Sequence, residues 1–492
     1  MSSVFDQGPP EPCPDPFNMA AYVLAHADRL AAKLALLVAS PDGGVTTLSF
    51  AALKARVTEV AGGLAAQGLA QGDRVLFRLG NTPDFPIAYL ACIWGGFVPV
   101  PASAALSVPE ITEVARQTGP ALILHDGQAS LPNGALDALD RLPSAAPIAP
   151  VIGDPNRLAY IVFTSGTSGT PRGVCHAHRA IWARRMMHQG WYGLTEADRV
   201  MHAGAFNWTF TLGTGLMDPW SVGATALIAG DGMTPDQLPA CIKAHDISIF
   251  AAAPGVYRKM LQSDLSPMPR LRHGLSAGEH LAETIRQDWT ARTGTGLHQA
   301  MGMSECSTFI SSSPAHPAPP DTSGRPQPGR RVAVIKDGAP VAPNTPGELA
   351  VATSDPGLMI GYLGDAPVQG AWFATGDMAQ MAKDGTITYL GRGDDMMNAG
   401  GYRVSPLEVE ACFNALSGVT ACAAVQVEVK AHAFVIALYV AGTVEEQAMR
   451  AHAEQNLAPY KRPRLYIRRD ALPYGANGKL NRRALRATYE AP

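Results

Sequence analysis

Apolar runs that predict strands alternate with segments that predict helices, and this alternation restricts the fold more than any other feature. The run from Asp73 to Leu79 predicts a strand, a helix is expected after Pro83, and a glycine-rich return leads to Val98–Pro101. Strands that alternate with helices at this spacing form parallel sheets. Further strand-like runs lie at residues 225–228, 247–250 and 332–335. The predicted fold class is therefore α/β.

The N-terminal region contains one helix with a clear start signal. Ser49 is placed to cap a helix that runs to Gly68, where a glycine can end it. A short strand is expected just before it, at Val45–Leu48. The apolar residues between Phe17 and Leu37 have helical spacing, so we expect a helix there as well.

The length of 492 residues indicates two or three domains rather than one core. Gly391–Asp395 is short, polar and flanked by glycine, which makes it the best candidate boundary. We predict a domain at 1–393, built of stacked α/β sheets with a β-rich subdomain. Residues 394–492 carry their own strand and helix pattern and are expected to form a small α+β domain.

Composition excludes several classes of protein. A hydrophobic content of 47% with 16% charged residues is typical of a folded globular chain. The formal net charge of −3 provides no basic surface for nucleic acid and no polybasic membrane patch. The seven cysteines are scattered singly, and no basic segment followed by an apolar one opens the chain. We expect a cytoplasmic protein that binds neither nucleic acid nor membrane.

The stretch Phe163–Gly173 combines glycine, hydroxyl side chains and one arginine directly after the apolar run Leu158–Val162. Glycines let backbone N–H groups approach an anion, hydroxyls donate to phosphate oxygens, and a guanidinium adds a fixed positive charge. No Gly-Lys-Ser/Thr follows, so this is not a Walker A loop. It predicts a phosphate-binding loop, with a polar surface loop as the alternative.

This loop closely resembles the phosphate loop of the adenylate-forming superfamily, which includes acyl- and aryl-CoA synthetases, adenylation domains and luciferases. The resemblance extends over roughly Phe17–Arg486, and it implies ATP, Mg²⁺ and coenzyme A as cofactors and co-substrate. The signature usually ends Pro-Lys-Gly, so Arg172 is a departure that keeps the charge. The resemblance implies that the small C-terminal domain is mobile. The loop residues expected to bind ATP are Thr164, Ser165, Gly166, Thr167, Ser168, Gly169 and Thr170.

Two later motifs, each of which could alone be a turn, match the superfamily. Gly278 and Glu279 match the segment that flanks the adenine, and the resemblance places Met301, Gly302 and Met303 on the floor between nucleotide and acid. It also implies that Ser304 lies at the phosphates and that Glu305 holds Mg²⁺ through a hard oxygen ligand. The superfamily has a tyrosine where this chain has Met301, so the adenine would contact a thioether rather than a ring.

The C-terminal third contains the remaining expected positions. An aspartate after a Thr-Gly turn can accept both ribose hydroxyls, and Asp377 with Arg392 resembles the superfamily's ribose clamp. The resemblance implies a hinge at Asp394, passage of the pantetheine arm at Gly401, and Arg403 near the phosphates. Lys479 matches the lysine of the first half-reaction, and the expected catalytic residues are Lys479, Arg172 and Glu305. The usual hinge lysine is replaced by Asn398.

The acid pocket is predicted from the segment after the phosphate loop and from the strand ends before the adenine motif. Acetate-specific members place a tryptophan where this chain has Gly302, so a larger acid is expected, most like the acids of benzoate-type aryl-CoA ligases. Ordinary core packing is the alternative explanation for the two aromatic pocket residues, Trp208 and Phe210. The expected pocket residues are Trp208, Phe210, Ala253, Gly278, Gly302, Met303 and Thr308.

The sequence therefore predicts an AMP-forming acid:CoA ligase that activates a carboxylate, expected to be aromatic, as acyl-AMP and passes the acyl group to coenzyme A. A medium-chain acyl-CoA ligase and an adenylation enzyme that loads a carrier protein remain alternatives. A nucleotide-binding regulatory protein without catalysis is the alternative from another class. Dimerisation is expected from the superfamily alone.

Overall fold

A computed structural model describes residues 2–134, 137–164, 171–265, 267–279, 281–393, 395–399, 402–430, 433–457, 459–475 and 480–489. Its strands are β1 (Val4–Phe5), β2 (Leu34–Ala39), β3 (Val45–Ser49), β4 (Arg74–Arg78), β5 (Val98–Pro101), β6 (Leu122–His125), β7 (Ala138–Leu139), β8 (Leu158–Thr164), β9 (Arg172–Ala177), β10 (Arg199–His202), β11 (Thr225–Ala229), β12 (Ile249–Ala252), β13 (His273–Ser276), β14 (Gly296–Met303), β15 (Ser307–Ser311), β16 (Arg325–Pro326), β17 (Val332–Lys336), β18 (Ala339–Pro340), β19 (Gly347–Ala352), β20 (Gly361–Tyr362), β21 (Trp372–Met381), β22 (Ile387–Arg392), β23 (Met397–Ala399), β24 (Tyr402–Val404), β25 (Val419–Lys430), β26 (Ala433–Gly442) and β27 (Leu465–Arg468).

The α-helices are α1 (Met19–Val23), α2 (Phe50–Ala66), α3 (Asp84–Trp94), α4 (Val108–Thr118), α5 (Ala180–Ala183), α6 (Arg185–Met187), α7 (Asp218–Ser221), α8 (Leu238–Ala244), α9 (Pro254–Met260), α10 (Glu283–Thr293), α11 (Pro406–Asn414), α12 (Glu446–Asn456) and α13 (Arg482–Ala487). Two segments are π-helical, π1 (His188–Tyr192) and π2 (Thr211–Met217), and Pro459–Lys461 forms a 3₁₀ turn.

Local sequence explains where some of these elements begin. The Ser49 side chain accepts a hydrogen bond from the Ala52 N–H at 3.2 Å, which confirms the predicted helix start. The predicted helix between Phe17 and Leu37 is wrong, because only α1 is helical and turns lead into β2. Strand β2 lies between β11 and β3 in a sheet, and this long-range pairing overrides the local helical spacing.

The described chain divides into two compact units. The larger unit comprises Asp6–Arg331 and Ala352–Phe373, and the smaller comprises the described parts of Met1–Phe5, Val332–Val351 and Ala374–Pro492. The domain boundary after residue 393 remains a prediction, and residue 394 lies outside the described residues.

The largest sheet of the larger unit has the order β16-β15-β14-β13-β12-β10-β11-β2-β3 in the described part of the chain. Its six central strands, from β14 to β2, are parallel, and its edges are antiparallel. The carboxyl ends of β10, β12, β13 and β14 therefore meet at one edge of the sheet. Ligands of open α/β sheets bind at such an edge.

A second parallel sheet, β5-β4-β6-β7, shares a core with the first. Helices α2 and α3 contribute Val57 and Leu90 to this core, β2 and β11 contribute Leu36 and Ile228, and β4 contributes Phe77. Helices packed between sheets bury apolar surface on both sides, and the predicted α/β class is confirmed. A third sheet, β20-β9-β8, is antiparallel and borders the predicted phosphate loop.

The smaller unit has a six-stranded sheet that includes β1, β17, β19, β21 and β22. It also has the sheet β25-β26-β27, whose core includes Phe413 of α11 and Met449 of α12. Helix α13 packs its Leu485 on the other side of this sheet, with Tyr439 of β26.

Candidate active site

The hairpin β8–β9 holds the two ends of the predicted phosphate loop. Thr164 ends β8, Arg172 begins β9, and the two residues are direct cross-strand partners. The loop is therefore anchored at both ends by the sheet. The expected ATP contacts of Ser165, Gly166, Thr167, Ser168, Gly169 and Thr170 remain predictions, because these residues lie outside the described ranges.

Tyr362 connects the two catalytic residues of the larger unit that the sequence predicts. The guanidinium of Arg172 lies 3.4 Å from the centre of the Tyr362 ring and donates to Asp365 at 2.8 Å. The Tyr362 hydroxyl donates to Oε1 of Glu305 at 2.8 Å. Strand β20, which carries Tyr362, pairs with β9, which carries Arg172, and this pairing sets the geometry. A cation and a carboxylate are thus held by one phenol side chain.

Glu305 is the residue that the sequence predicts to hold Mg²⁺, and a Mg²⁺ ion shared with a phosphate group needs fewer protein ligands than a metal site built by the protein alone. Within the described ranges, no group of three or more His, Cys, Asp or Glu side chains could hold a metal ion. Mg²⁺ that binds nucleotide phosphates usually keeps several waters and takes one or two protein carboxylates. The half-buried carboxylate of Glu305 fits that requirement.

The turn between β14 and β15 begins at Ser304, directly after the predicted floor of the site. His176 of β9 donates from Nε2 to the Ser304 carbonyl at 2.7 Å. Burial lowers the pKa of His176 to about 4, so the ring is neutral at pH 7 and one nitrogen carries the single proton. Tyr160 stacks on the imidazole with ring centres 4.8 Å apart. These contacts fix Ser304 against the β8–β9 hairpin.

A buried ion pair holds the far side of the same turn. Arg330 and Asp355 are 2.5 Å apart, and their side chains are 0% and 1% exposed. Arg330 also donates to the Thr308 carbonyl at 3.0 Å, and Asp355 accepts from the Gly357 N–H at 2.7 Å. Thr308 is buried, with its hydroxyl against the Met187 sulfur.

Gly302 lies where the two strands of this hairpin approach each other closely. A Cβ at this position would be 2.4 Å from the Ser307 carbonyl oxygen and 2.6 Å from the Thr308 Cα. The glycine is therefore required by the hairpin backbone, which is a second reason for it beside the open pocket that the sequence predicts. Its neighbours Met301 and Met303 are half-buried.

The adenine motif follows β13 at the carboxyl edge of the sheet. Gly278 has a φ of +95°, in the region that favours glycine, and Glu279 is half-buried beside it. Ala253 follows β12 and occupies the position just before α9. Because Ala252 pairs with Ser276, the residues after both strands lie next to each other at this edge.

Trp208 and Phe210 are both half-buried. Both lie just before π2, and Phe210 is adjacent to its first residue. Phe210 stacks on the buried ring of Trp191, with centres 5.8 Å apart and planes at 22°. It packs against a cluster that includes Ala251, Ala277 and Ala300 of the sheet edge. The predicted pocket residue thus lies over the strand ends, partly open, with its ring direction fixed by Trp191.

A buried ion pair stabilises π2, and nothing in the sequence indicates this pair beyond two adjacent arginines, Arg184 and Arg185. Arg184 donates to both carboxylate oxygens of Asp218, at 2.8 and 2.6 Å, and the Tyr192 hydroxyl donates to Asp218 at 2.7 Å. Burial alone would raise the pKa of Asp218, but the Arg184 charge and the hydrogen bonds hold it below its usual value. A Cβ on Gly213 would be 2.1 Å from the Arg184 guanidinium carbon.

A cavity lies between the β8–β9 hairpin, which holds the ends of the phosphate loop, and π2. Its polar lining includes Tyr160, His176, Arg184, Thr209, Ser304 and Ser307. The guanidinium of Arg184 contacts the Ser307 hydroxyl, so the ion pair extends to the β14–β15 turn.

The predicted ribose clamp lies in the smaller unit. Asp377 is buried, accepts from the Tyr389 hydroxyl at 3.2 Å and lies 3.4 Å from an Arg392 nitrogen. Gly376 has a φ of +77°, and its N–H donates to Glu348 at 2.9 Å. Strands β21 and β22 pair Asp377 with Arg392 directly, which brings together the two residues that the sequence links.

The other predicted positions of the C-terminal region are not described. Asp394, Gly401 and Lys479 lie outside the described residues, as does the side chain of Arg403. No helix in the described ranges is long and apolar enough to cross a membrane.

Comparison with known proteins places these features in a family. A family model described as AMP-binding enzyme matches residues 23–363, and one described as AMP-binding enzyme C-terminal domain matches residues 408–479. A benzoate–CoA ligase of Thauera aromatica is 31% identical over 459 residues, which cover 85% of this chain and 86% of that protein. A 3-hydroxybenzoate–CoA ligase of Aromatoleum sp. strain CIB is 27% identical, covering 91% of this chain and 93% of that protein.

A solved structure of a benzoate CoA ligase from Burkholderia xenovorans LB400 superposes with a TM-score of 0.83 at 26% identity. The match covers 96% of this chain and 100% of that chain.

Proposed function

Because the chain belongs to the AMP-binding enzyme family, we propose that it is an AMP-forming ligase that joins an aromatic carboxylic acid to coenzyme A. The observation that carries this function is the contact chain from Arg172 through Tyr362 to Glu305. This contact chain places a cation and a carboxylate beside the anchored ends of the phosphate loop. Phosphoryl transfer requires such preorganised charged groups close to the phosphates.

The reaction needs two steps because a carboxylate is a poor acylating agent. A carboxylate oxygen attacks the α-phosphorus of ATP, a P–O bond forms, and pyrophosphate leaves with the electrons of the broken bond. The thiolate of coenzyme A then forms a C–S bond at the acyl carbon, the C–O bond between the acyl group and the phosphate breaks, and AMP leaves with the electrons of that bond. Negative charge develops on the phosphoryl oxygens in the first step.

Residues of the larger unit stabilise that charge. Arg172 supplies a guanidinium that lies against the Tyr362 ring, and Ser304 is fixed by His176. Glu305 is the residue that would hold Mg²⁺, which supplies positive charge to the phosphate oxygens when bound. Removal of one preorganised group of this kind typically costs about 3–4 kcal/mol of transition-state stabilisation.

We assign the remaining positions from the family. Asp377 with Arg392 binds the ribose, Gly278, Glu279 and Met301 contact the adenine, and Lys479 assists the first step. Asp394 is the hinge, Gly401 contacts the pantetheine arm, and Arg403 binds phosphate in this proposal.

The acid is aromatic in this proposal because Phe210 offers a ring that is half-exposed and fixed against Trp191 over the sheet edge. Relatives named for benzoate and 3-hydroxybenzoate agree with such an acid. The enzyme acts in the cytoplasm, and any homodimer is an expectation from the family.

An ATP-dependent AMP-release assay across a panel of acids tests the function. The panel holds benzoate, the three hydroxybenzoates, 2-aminobenzoate, phenylacetate, hexanoate, octanoate and acetate, each with and without coenzyme A. We expect the highest kcat/KM with a benzoate-type acid and one thioester formed per AMP. A maximum at hexanoate or octanoate would overturn the aromatic acid, and AMP without thioester would indicate a carrier protein as acceptor.

A further inference from the structure

Two buried polar side chains beside Phe210 have no hydrogen-bond partner within the described residues. His202 is 1% exposed and both of its ring nitrogens are unpaired, and Thr211 is 0% exposed with an unpaired hydroxyl. A buried polar group that lacks a partner destabilises a protein, so such a group is normally paired with an ordered water, an ion or a ligand, or has a functional reason.

The two unpaired groups both pack closely against Gly204. A Cβ on Gly204 would lie 2.5 Å from Thr211 Oγ1 and 3.0 Å from His202 Nδ1. Gly204 therefore has no room for a side chain, and both polar atoms lie beside it. The edge of the imidazole meets the Phe210 ring, with centres 4.4 Å apart and planes at 80°.

Strand register places His202 beneath the predicted acid pocket. His202 ends β10 and pairs with Ala251 of β12, which pairs with Leu275 of β13, so all three side chains point to one face of the sheet. Phe210 packs on this face. Side chains alternate between the two faces of a sheet along a strand. Ala253, a predicted pocket residue two positions after Ala251, therefore follows it on the same face.

The chemistry of the pair suits a ring substituent that both donates and accepts hydrogen bonds. A neutral imidazole has one donor and one acceptor, and a threonine hydroxyl has both. Burial lowers the pKa of His202 to about 3, so the ring is neutral at pH 7. A phenolic hydroxyl or an aromatic amine can satisfy such groups, whereas an unsubstituted ring leaves them unpaired.

We propose that His202 and Thr211 form the polar end of the acid site and select aromatic acids that carry a ring hydroxyl or amino group over the unsubstituted acid. This inference rests on the proposed function and adds the substrate class. Both residues are specificity-determining residues rather than catalytic ones, because they lie at the acid and not at the phosphates.

The test compares kcat/KM for each hydroxybenzoate and for 2-aminobenzoate with kcat/KM for benzoate. We expect the wild-type enzyme to prefer at least one substituted acid by roughly tenfold or more, since a site built to bond a hydroxyl rejects the analogue that lacks it. Thr211→Val, which keeps the side-chain shape, should reduce this ratio several-fold. His202→Phe should abolish the preference, and His202→Gln, which can still donate and accept, should retain part of it.

Thr214→Val is the matched control, because Thr214 lies on the same π-helical segment but its hydroxyl is bonded to Tyr192 at 2.7 Å. It should lower stability without changing the ratio. If the wild-type enzyme prefers benzoate, or if Thr211→Val and His202→Phe leave the ratio unchanged, the inference is wrong while the ligase function stands. If no acid of the panel releases AMP, the proposed function itself fails.

Discussion

Tyr362 joins two residues whose roles the sequence predicts separately. Arg172 ends the phosphate loop and Glu305 follows the floor motif, and the contact between them passes through one phenol side chain. The ring and the hydroxyl serve different partners, so they can be separated by substitution. This makes Tyr362 the most informative single position in the larger unit.

Tyr362→Phe should lower kcat/KM for acyl-AMP formation by roughly tenfold to a hundredfold. The substitution keeps the ring under Arg172 but removes the hydrogen bond to the Glu305 carboxylate, and a bond to a charged group contributes about 1.5–3 kcal/mol. Pyrophosphate exchange at varied Mg²⁺ measures the loss.

Tyr362→Ala is the comparison for this prediction, because it removes the ring as well and should cost more than Tyr362→Phe. Asp365→Ala removes only the exposed ion pair with Arg172 and should change the rate little. Equal rates for the wild type and Tyr362→Phe would show that the hydroxyl does not orient Glu305.

The residues that the sequence could predict are those whose type is demanded by a local pattern. Arg172 and Glu305 stand in recognisable motifs, whereas Tyr362 stands in a short Gly-Tyr-Leu-Gly segment that shows no chemistry. Its role arises from the pairing of β20 with β9, far apart in the chain. His202 was missed for the same reason, since only strand register places it under Phe210.

At the scale of elements, the β14–β15 hairpin explains why residue 302 must be glycine. Gly302→Ala should reduce the free energy of unfolding by about 2–3 kcal/mol, because its Cβ would meet backbone atoms that cannot rotate away. Gly278→Ala is the control. The φ of +95° at Gly278 strains an alanine, but the space around a Cβ there is open. This substitution should therefore lower the free energy of unfolding by only about 1 kcal/mol.

Denaturant titrations of both variants measure this difference. A cost for Gly302→Ala that does not exceed the cost for Gly278→Ala would show that the hairpin can shift. The open acid pocket would then be the better explanation of the glycine.

The π2 segment depends on the ion pair between Arg184 and Asp218. Arg184→Met should destabilise the protein by about 3–5 kcal/mol, because it leaves Asp218, which is 0% exposed, without its charge partner. The double variant Arg184→Met with Asp218→Leu should recover most of that loss, since apolar residues of similar volume often replace a buried pair without cost. A double-mutant cycle in denaturant measures the coupling, and additive losses would contradict the prediction.

Elements were predictable where local signals and long-range pairing agree. The cap at Ser49 and the strands β4, β8 and β11 satisfy both, and the structure has them at the expected places. Residues 17–37 have helical spacing of apolar side chains, but β2 pairs with β11, about 190 residues away in the chain. No local pattern contains that partner.

At the scale of the molecule, the sequence predicts the α/β class because its strand and helix signals alternate over a long stretch. It does not predict that Val4 and Phe5 pair with β17, which brings the start of the chain into the smaller unit. Two residues carry too little periodicity to indicate a partner more than 300 residues away.

The larger unit buries a set of histidines in the neutral form, and this has a consequence for stability at mild acidity. Burial lowers the pKa of His178 to about 3 and the pKa of His176 to about 4. His178 Nδ1 accepts a hydrogen bond from the Met19 N–H at 3.0 Å, which a protonated ring could not do. His202, His273 and His298 are also buried with lowered pKa values.

These histidines should make the larger unit less stable as the pH falls from about 6.5 to 4.5. In the unfolded chain a histidine binds a proton below a pKa of about 6.5, while the folded ring stays neutral, so the unfolded state binds more protons in this range. Stability is therefore complete above about pH 6.5 and declines below it, by about 2 kcal/mol for each such histidine at pH 5. Carboxylates with lowered pKa values, such as Asp218, lose their contribution only at lower pH.

Tryptophan fluorescence in urea is the measurement, because all seven tryptophans lie in the larger unit. The urea concentration at the unfolding midpoint should decrease when the pH is lowered from 7 to 5. In the His178→Asn variant this decrease should be smaller, since an amide oxygen can accept from the Met19 N–H without titrating. An Arg450→Gln variant, changed on α12 of the smaller unit, should keep the wild-type pH dependence. A midpoint that is constant from pH 7 to pH 5 would mean that these histidines exchange protons without opposing the fold, and the neutral state inferred for His178 would be wrong.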